Sequence, residues 1–175
     1  SNLYYHEYQG RLARWLSKAT GLQRSFFCNS GTEATEGALK MLRSHGTHIN
    51  PAKHEIISLE NSFHGRTLGA LSVTGQHKYR KDFEPLIPGV RFIYPNDIGA
   101  LDQVFSDRTA GILVEGIQGE GGANPLSADF LRRCRELCDR YDALLVFDET
   151  QCGVGRPGVY FSYQLFDPVI MPDIM

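Results

Sequence analysis

The feature that most constrains the fold is an apolar run at residues 143–147, ALLVF, which ends directly in Asp148 and Glu149. Five consecutive apolar residues predict a strand that is covered on both faces, as in a parallel sheet. The last residue of such a strand opens onto the edge where parallel sheets bind ligands. A carboxylate held there needs a cationic partner, because burying an unpaired charge is costly. Three partners meet this need: a magnesium ion, an arginine and a protonated ring nitrogen.

Composition and charge restrict the class of protein. The 175 residues are 42% hydrophobic, which is enough for one domain with its own core. The formal net charge of -2 gives no electrostatic reason to expect nucleic acid or an anionic membrane as a partner. No stretch has the apolar length of a membrane span, and the first residues are too polar for a signal peptide. We expect a cytoplasmic protein that binds small molecules, or a protein of the mitochondrial matrix or plastid if the organism is eukaryotic.

The cysteine and histidine patterns predict no metal site. Cys134 and Cys138 are four residues apart on a helical pattern, where small thiols often pack in a core. The cluster of His45, His48 and His54 is interrupted by a glycine and a proline. This pattern is more typical of a polar loop than of a zinc site.

Helical and strand patterns alternate along the chain without repeats, which predicts an α/β fold. Helices are predicted at residues 8–19, 32–44 and 128–141. Gly21 and Gly46 are the predicted ends of the first two helices, and Ser127 is the predicted N-cap of the third. Strands are predicted at residues 55–59, 91–94, 110–114 and 143–147. Residues 168–175 resemble the approach to a further strand.

Two nucleotide-binding motifs compete to explain Asp148. An apolar strand followed by Asp-Glu also occurs in P-loop NTPases, where it holds magnesium. The chain contains no G-x-x-x-x-G-K-S/T motif, whose lysine and hydroxyl hold the phosphates and the metal. Residues 153–158, GVGRPG, match G-x-G-x-x-G, but Pro157 stands where the dinucleotide-binding helix should donate its amides. This segment is predicted to be a turn.

Residues 29–34, NSGTEA, are a better candidate for binding phosphate. They lead into the N-terminus of a predicted helix, where free backbone N–H groups and the helix dipole favour an anion. Gly31 allows a close approach, and Ser30 and Thr32 add hydroxyl donors. Taken alone, the same pattern is more typical of an ordinary N-cap.

Residues 61–67, NSFHGRT, favour phosphate binding by residues 29–34 over an ordinary N-cap. They follow the strand predicted at residues 55–59. Phe63 offers a stacking surface for a flat ring, and Arg66 offers a fork for a carboxylate, although each alone is more typical of a core side chain or a surface ion pair. Together with the phosphate candidate and Asp148, they describe a phosphorylated aromatic heterocycle with a basic ring nitrogen. Pyridoxal phosphate fits that description.

Four motifs, in this order, resemble the class III aminotransferases: residues 29–34, residues 63–67, residues 115–122 (EGIQGEGG) and residues 148–151 (DETQ). The resemblance runs from near Leu3 to Met175 and is greatest to the members that act on acetylornithine, succinylornithine or ornithine. It implies an α-β-α sandwich with a mainly parallel sheet, the large domain of fold type I pyridoxal-phosphate enzymes. Residues 1–175 would then be part of that domain, without the small C-terminal domain.

The resemblance also assigns residues to the cofactor. Asp148 pairs with the protonated pyridine nitrogen and keeps the ring an effective electron sink. Phe63 stacks on the ring, and Gln151 forms a hydrogen bond near the phenolic oxygen. The phosphate is held by three residues, Ser30, Gly31 and Thr32.

On the substrate side, the resemblance gives Arg66 the role of binding an α-carboxylate, and it places Glu115 and Glu120 along the substrate. Gly116 stands where the family usually has proline, which we expect to loosen the turn. The implied reaction transfers the ω-amino group of N-acetylornithine, succinylornithine or ornithine to 2-oxoglutarate in arginine metabolism. The implied enzyme is a homodimer.

The Schiff-base lysine of the family has no counterpart in the four motifs and is expected shortly beyond Met175. The chain's five lysines lie in other contexts: Lys18, Lys40, Lys53, Lys78 and Lys81. We therefore expect the 175-residue chain to be inactive by itself, because it lacks the base for proton transfer. Two alternatives stay open: a non-catalytic module that binds phosphate or pyridoxal phosphate, and a class III enzyme acting on 4-aminobutyrate.

Overall fold

Six strands are present in the computed structural model, which describes residues 3–175. They are β1 (Glu55–Leu59), β2 (Val90–Ile93), β3 (Thr109–Val114), β4 (Ile117–Gln118), β5 (Asn124–Pro125) and β6 (Leu144–Phe147). Four of them form a parallel sheet in the order β2-β1-β3-β6, and β4 and β5 form a short antiparallel pair. The four predicted strands are therefore confirmed, with shifts of one residue at some ends.

The helices are α1 (Glu7–Thr20), α2 (Gly31–Ile49), α3 (Leu68–Ser72), α4 (His77–Arg80), α5 (Ile98–Val104) and α6 (Ala128–Tyr141), followed by a 3-10 helix at Ser162–Leu165. Gly21 ends α1 in the left-handed conformation, with φ of 78°, and donates its N–H to the carbonyl of Ser17. Ser127 caps α6, since its hydroxyl accepts a hydrogen bond from the N–H of Phe130 at 3.2 Å. Both predicted helix ends are confirmed.

Different helices cover the two faces of the sheet. One face packs against α5 and α6 through Ile57, Leu59, Ile112, Val114, Leu145 and Phe147. The opposite face packs against α2 through Ile56, Leu113 and Val146. Burying each of these large side chains contributes about 1.5–3 kcal/mol. The α-β-α sandwich with a parallel sheet is thus confirmed, and it explains why the strands are apolar at consecutive positions.

The register of the strands brings three strand ends to one edge of the sheet. Ile57 of β1 lies beside Ile112 of β3, and Val114 lies beside Phe147 of β6. Since all the strands are parallel, the loops after β1, β3 and β6 leave from the same side, which we call the carboxyl edge. The opposite side, where these strands begin, is the amino edge. Beyond β6, Ile174 forms a parallel bridge with Val146, in agreement with the strand approach predicted for residues 168–175.

The prediction that Gly46 ends the second helix is wrong. Helix α2 continues to Ile49, and Gly46 is buried inside it. A Cβ at this position would lie 2.1 Å from the carbonyl oxygen of Lys53 and 3.0 Å from the Cβ of Ala110. Gly46 therefore permits close packing of α2 against the sheet, which a local pattern cannot reveal.

The prediction of a polar loop around the histidine cluster is also wrong, because His45 and His48 lie on α2. His45 Nε2 lies 3.0 Å from the backbone oxygen of Asp142, at the end of α6. Within residues 3–175, no three His, Cys, Asp or Glu side chains are grouped to hold a metal ion. The same part of the chain contains no helix with both the length and the apolar character needed to cross a membrane. Cys134 and Cys138 are buried in the core, as predicted.

Candidate active site

The N-terminus of α2 lies at the carboxyl edge and keeps free donors. Ser30 is the N-cap, and its hydroxyl accepts a hydrogen bond from the N–H of Glu33 at 3.3 Å. This capping uses a lone pair of Ser30 and leaves its O–H available to donate. The N–H groups of Gly31 and Thr32 have no hydrogen-bond partner within residues 3–175. A 19-residue helix therefore directs unpaired amides and a hydroxyl to one place, which suits an anion.

Gly65 lets the loop after β1 dock against α2. Its φ is +128°, and a Cβ would lie 2.2 Å from the hydroxyl oxygen of Thr32. Hydrogen bonds secure the docking. The hydroxyls of Thr32 and Thr67 lie 3.1 Å apart, and Glu36 accepts hydrogen bonds from the Thr67 hydroxyl and the N–H of Gly69. The anion site and the loop carrying Phe63 and Arg66 are thereby held together.

Asp148 and His64 form a buried pair at the carboxyl edge. Asp148 Oδ2 lies 2.8 Å from His64 Nδ1, and the two side chains are 9% and 0% exposed. The other carboxylate oxygen accepts the N–H of Thr150 at 3.0 Å. Burial by itself raises the pKa of Asp148, but the hydrogen bond and charge of His64, with the contacts from Thr150, hold this pKa below its ordinary value. Asp148 is therefore ionised at neutral pH.

Glu115 is a second buried carboxyl group beside this pair. Its Oε2 accepts the N–H of Phe63 at 3.1 Å, which joins the end of β3 to the loop after β1. Burial raises the pKa of Glu115 to about 7, and the charge of Asp148 adds to this effect, while His64 and hydrogen bonds oppose it. The buried Nε2 of His64 has no partner within the described chain. The site therefore keeps one titratable group and one free ring nitrogen near neutral pH.

Gln151 and Glu120 meet at the rim of the same edge, where Gln151 Nε2 lies 3.4 Å from Glu120 Oε1. Gly119 makes this approach possible, because a Cβ there would lie 1.9 Å from Gln151 Oε1. Both side chains are exposed. They form the outer boundary of the site.

Gly116 does not leave the turn after β3 loose, contrary to our expectation. A Cβ at this position would lie 2.2 Å from the hydroxyl oxygen of Ser162. Ser162 donates that hydroxyl to Glu149 Oε1 at 2.6 Å and is fully buried. The absent side chain of Gly116 is thus replaced by tight packing from the 3-10 helix.

Arg66 lies beside two aromatic rings and is exposed to solvent. Its guanidinium carbon is 5.8 Å from the ring centroid of Phe63 and 4.9 Å from that of Tyr79. No carboxylate within residues 3–175 forms an ion pair with it. Its N–H donors therefore stay available.

Anion donors, a half-buried aromatic ring and an ionised buried carboxylate thus lie at one sheet edge, in an arrangement suited to a phosphorylated heterocycle. In agreement, the family model described as aminotransferase class-III matches residues 1–175. The chain belongs to the class III aminotransferases.

Two curated relatives of this class III chain match nearly all of it. It is 48% identical over 176 residues to the acetylornithine aminotransferase of Clostridium acetobutylicum. That match covers 100% of this chain and 45% of the relative. It is 45% identical over 179 residues to the succinylornithine transaminase of Citrobacter koseri, covering 99% of this chain and 43% of the relative. The chain thus spans less than half the length of these relatives.

Solved structures of transaminases have the same fold. An amine transaminase from an uncultivated Pseudomonas species, solved in its pyridoxal-phosphate-bound form, matches with a TM-score of 0.91 and 27% identity, covering 98% of this chain and 44% of that one. The N-acetylornithine aminotransferase of Stenotrophomonas maltophilia K279a matches with a TM-score of 0.80 and 37% identity, covering 98% of this chain and 42% of that one.

All nine site residues predicted for this aminotransferase chain lie at the carboxyl edge, on the N-terminus of α2, in the loops after β1, β3 and β6, or in the turn between β4 and β5. They are Ser30, Gly31, Thr32, Phe63, Arg66, Glu115, Glu120, Asp148 and Gln151. Among residues 3–175, one lysine is buried: Lys53 lies at the amino edge, where it donates to the backbone oxygen of Tyr141 at 2.6 Å. Within the described chain, no lysine contacts Asp148.

Sequence reasoning missed His64 and Tyr79. The expected cationic partners of Asp148 are a magnesium ion, an arginine and a protonated ring nitrogen, and no residue of the chain is assigned to any of them. The structure places the ring of His64 on one carboxylate oxygen. The position of His64 between Phe63 and Gly65 was a usable signal, because the loops after β1 and β6 leave from the same edge. Tyr79 had no such signal, since it lies outside all four motifs.

Proposed function

We propose that this chain is the cofactor-binding part of a pyridoxal-phosphate-dependent aminotransferase. In this proposal the enzyme transfers the ω-amino group of N-acetylornithine, or of succinylornithine or ornithine, to 2-oxoglutarate. The observation that carries the proposal is the buried, ionised Asp148, held by His64 beside the free N-terminus of α2. An ionised carboxylate in that position is the partner that a protonated pyridine nitrogen requires.

The residues present fit the cofactor in charge and in shape. The free N–H groups of Gly31 and Thr32 and the hydroxyl of Ser30 would hold its phosphate. Gly31 lets the N-terminus of α2 lie close to the loop after β6, since a Cβ there would lie 2.6 Å from Thr150 Cγ2. Phe63 would face the ring, and Asp148 and Gln151 would contact its polar atoms.

When bound, pyridoxal phosphate supplies an electron sink for the negative charge that forms when a substrate carbon loses its proton. The chain's own residues prepare for this chemistry. His64 holds Asp148 in position, and Asp148 stays ionised so that it can stabilise a protonated ring nitrogen. Arg66 would bind the α-carboxylate and direct the distant amine towards the cofactor. Glu115 can gain or lose a proton near neutral pH.

The substrate proposal is supported by the names of the relatives. The two curated relatives act on acetylornithine and succinylornithine by name, and their matches cover 100% and 99% of this chain. An unpaired arginine, Arg66, suits any of these amino acids because all of them carry an α-carboxylate.

We further propose a homodimer in the cytoplasm, or in the mitochondrial matrix or plastid of a eukaryote, with no nucleic-acid or membrane partner. A reducing compartment is supported by four free cysteines. A second subunit is supported by an exposed apolar stripe on α1, formed by Tyr8, Leu12 and Trp15.

The cofactor proposal is tested with the full-length subunit that carries these residues. Adding pyridoxal phosphate should produce saturable visible absorbance. The substitution Gly31→Val should weaken the binding, because its side chain would collide with Thr150 and displace the N–H groups proposed to hold the phosphate. Tight cofactor binding by the Gly31→Val variant would contradict the proposed phosphate site.

The substrate proposal needs a separate measurement. Glutamate formation from 2-oxoglutarate should have a higher kcat/KM with N-acetylornithine, succinylornithine or ornithine than with 4-aminobutyrate. Preference for 4-aminobutyrate would retain the aminotransferase but reject the substrate class, and absence of glutamate with all four donors would reject the activity.

A further inference from the structure

Tyr79 lies against the two residues that the proposed function places at the cofactor and the substrate. Its ring centroid is 4.9 Å from the guanidinium carbon of Arg66 and 5.8 Å from the ring centroid of Phe63, with the two rings at 75°. Such edge-to-face and cation-π contacts are favourable geometries for aromatic side chains. The three side chains form a cluster, which we call the Arg66 cluster: Phe63, Arg66 and Tyr79.

The contacts within the Arg66 cluster orient a cation without using its hydrogen bonds. A ring face attracts the guanidinium through its quadrupole, whereas a carboxylate partner would occupy the N–H donors. Arg66 has no carboxylate partner within residues 3–175. The planar fork of Arg66 is therefore directed by the rings and stays free for a carboxylate from outside the chain.

Backbone contacts fix the position of Tyr79 relative to Arg66. Gly75 donates its N–H to the carbonyl of Ser62 at 3.1 Å and accepts the N–H of Asn61 at 3.2 Å. The segment before α4 is thus bonded to the segment just before Phe63. A side chain at Gly75 is not tolerated, because a Cβ would lie 2.0 Å from the backbone oxygen of Leu59.

Helix α4 is anchored on its other side as well. The guanidinium carbon of Arg80 lies 4.2 Å from the ring centroid of Phe92 on β2. The ring of Tyr79 therefore belongs to a segment that is attached to the loop after β1 and to β2. A ring held in this way can restrict the rotamers of Arg66, and a carboxylate then binds with less loss of side-chain entropy.

We propose that Tyr79 is a positioning residue that holds Arg66 in the orientation that binds a substrate carboxylate. The inference rests on the proposed function, since it gives Arg66 a carboxylate ligand. It assigns the effect to the ring and not to the hydroxyl, because the Tyr79 hydroxyl has no hydrogen bond within the described chain.

The test uses the full-length enzyme and the substitutions Tyr79→Leu and Tyr79→Phe. Loss of the ring should raise the KM for N-acetylornithine by about threefold to thirtyfold, the range of one cation-π contact, with kcat changed less than KM. The Tyr79→Phe variant keeps the ring and should stay within about twofold of the wild type. If Tyr79→Leu does not fold, Tyr79→Met provides a second ring-free variant.

Two further measurements separate positioning from general damage. The dissociation constant of glutarate, an unreactive dicarboxylate, should rise by the same factor as KM in the ring-free variant. The amine that lacks the α-carboxylate, N-acetyl-1,4-diaminobutane, should react equally well with the wild type and the variant. A matched control is Tyr160→Leu, because Tyr160 also makes an edge contact, 5.4 Å from Trp15, but lies beside no arginine.

The outcomes distinguish this inference from the proposed function. An active wild type whose ring-free variant keeps the same KM and the same glutarate affinity would overturn the role of Tyr79 alone. Equal losses with N-acetylornithine and with the carboxylate-free amine would overturn it too, since the ring would then support the fold in general. A wild type without transamination would overturn the proposed function.

Discussion

The two edges of the sheet both bury charged side chains, but they use them differently. At the amino edge, the buried Glu55 pairs with Arg91 at 3.1 Å and Arg108 at 2.9 Å. Lys53 nearby donates to the end of α6. At the carboxyl edge, Asp148 is ionised and His64 keeps an unpaired ring nitrogen.

The comparison shows that burial of charge does not by itself identify a functional site. At the amino edge, each buried charge faces a partner from the chain and the result is a structural contact, although Glu55 Oε2 meets Arg91 as an ion pair and accepts no hydrogen bond. At the carboxyl edge, hydrogen-bonding capacity remains after all the internal contacts are made. A buried polar atom with neither an ion pair nor a hydrogen bond, such as His64 Nε2, is the better indicator, because a ligand or an ordered water must satisfy it.

The largest expected difference between the edges concerns Asp148→Asn and Glu55→Gln. In the full-length enzyme, Asp148→Asn should lower kcat by about a hundredfold to a thousandfold, as expected for loss of one preorganised electrostatic contact. Glu55→Gln should keep kcat within about twofold but lower the free energy of unfolding by about 1–3 kcal/mol. The Glu55 value is modest because both arginine partners are about half exposed. Similar losses of kcat in Asp148→Asn and Glu55→Gln would contradict the assignment of a functional carboxyl edge and a structural amino edge.

A pH effect on stability is expected from Glu115. Its pKa is raised from 4.5 to about 7, so the protonated form favours the folded state. This stabilisation is complete below pH 4.5 and is lost as the pH rises through 7, by up to about 3 kcal/mol. Glu115→Gln should remove this slope and raise the free energy of unfolding at pH 8. The exposed Glu120 is the control, and Glu120→Gln should leave the slope unchanged; a persistent slope in Glu115→Gln would assign it to another group.

His64→Phe should weaken the affinity for pyridoxal phosphate by about tenfold to a hundredfold, the same range as the loss of a residue that orients a metal ligand. His64 opposes the rise in the pKa of Asp148 that burial causes. Without His64 this pKa should rise, and the acidic limb of the plot of activity against pH should move to higher pH. The matched control is His45→Phe, which removes a histidine contact to Asp142 near the amino edge. The affinity for the cofactor should change in His64→Phe and not in His45→Phe. If the acidic limb of the His64→Phe profile does not move, the proposed effect of His64 on the pKa of Asp148 is wrong.

The smallest effects concern two helical glycines. Gly46→Ala should lower the free energy of unfolding by about 1–3 kcal/mol, because its Cβ would meet the backbone of Lys53. Gly10→Ala in α1 should raise it by about 0.5–1 kcal/mol, since nothing lies within 4 Å of a Cβ there. Thermal unfolding of Gly46→Ala and Gly10→Ala measures these two opposite changes in the free energy of unfolding. Stabilisation of both would mean that α2 can shift away from the amino edge.

Local chemistry explains which parts of the fold were predictable. Gly21 and Ser127 act on residues within four positions, so the sequence pattern alone identified them as helix ends. The same local rule predicts a helix end at Gly46. The glycine is instead required by the backbone of Lys53, just before β1, which packs against it. The rule failed there because the deciding contact is tertiary.

The candidate site divides in the same way. Residue types that carry chemistry, such as Asp148 at a strand end and Ser30 before a helix, could be predicted as candidates from their positions. The partner of Asp148 could not, because His64 lies 84 residues away in sequence. Tyr79 was equally hidden, since its distance from Arg66 depends on the backbone bonds of Gly75.

The sequence by itself determined the alternation of helices and strands, the parallel sheet and the residue types at its carboxyl edge. These follow from hydrophobic periodicity and capping, which act over a few residues. Only the tertiary structure decided which groups pair with the buried charges and which donors and acceptors stay free at the carboxyl edge. That decision depends on strand register and loop docking, which join residues far apart in the chain and set the distances on which electrostatic free energies depend.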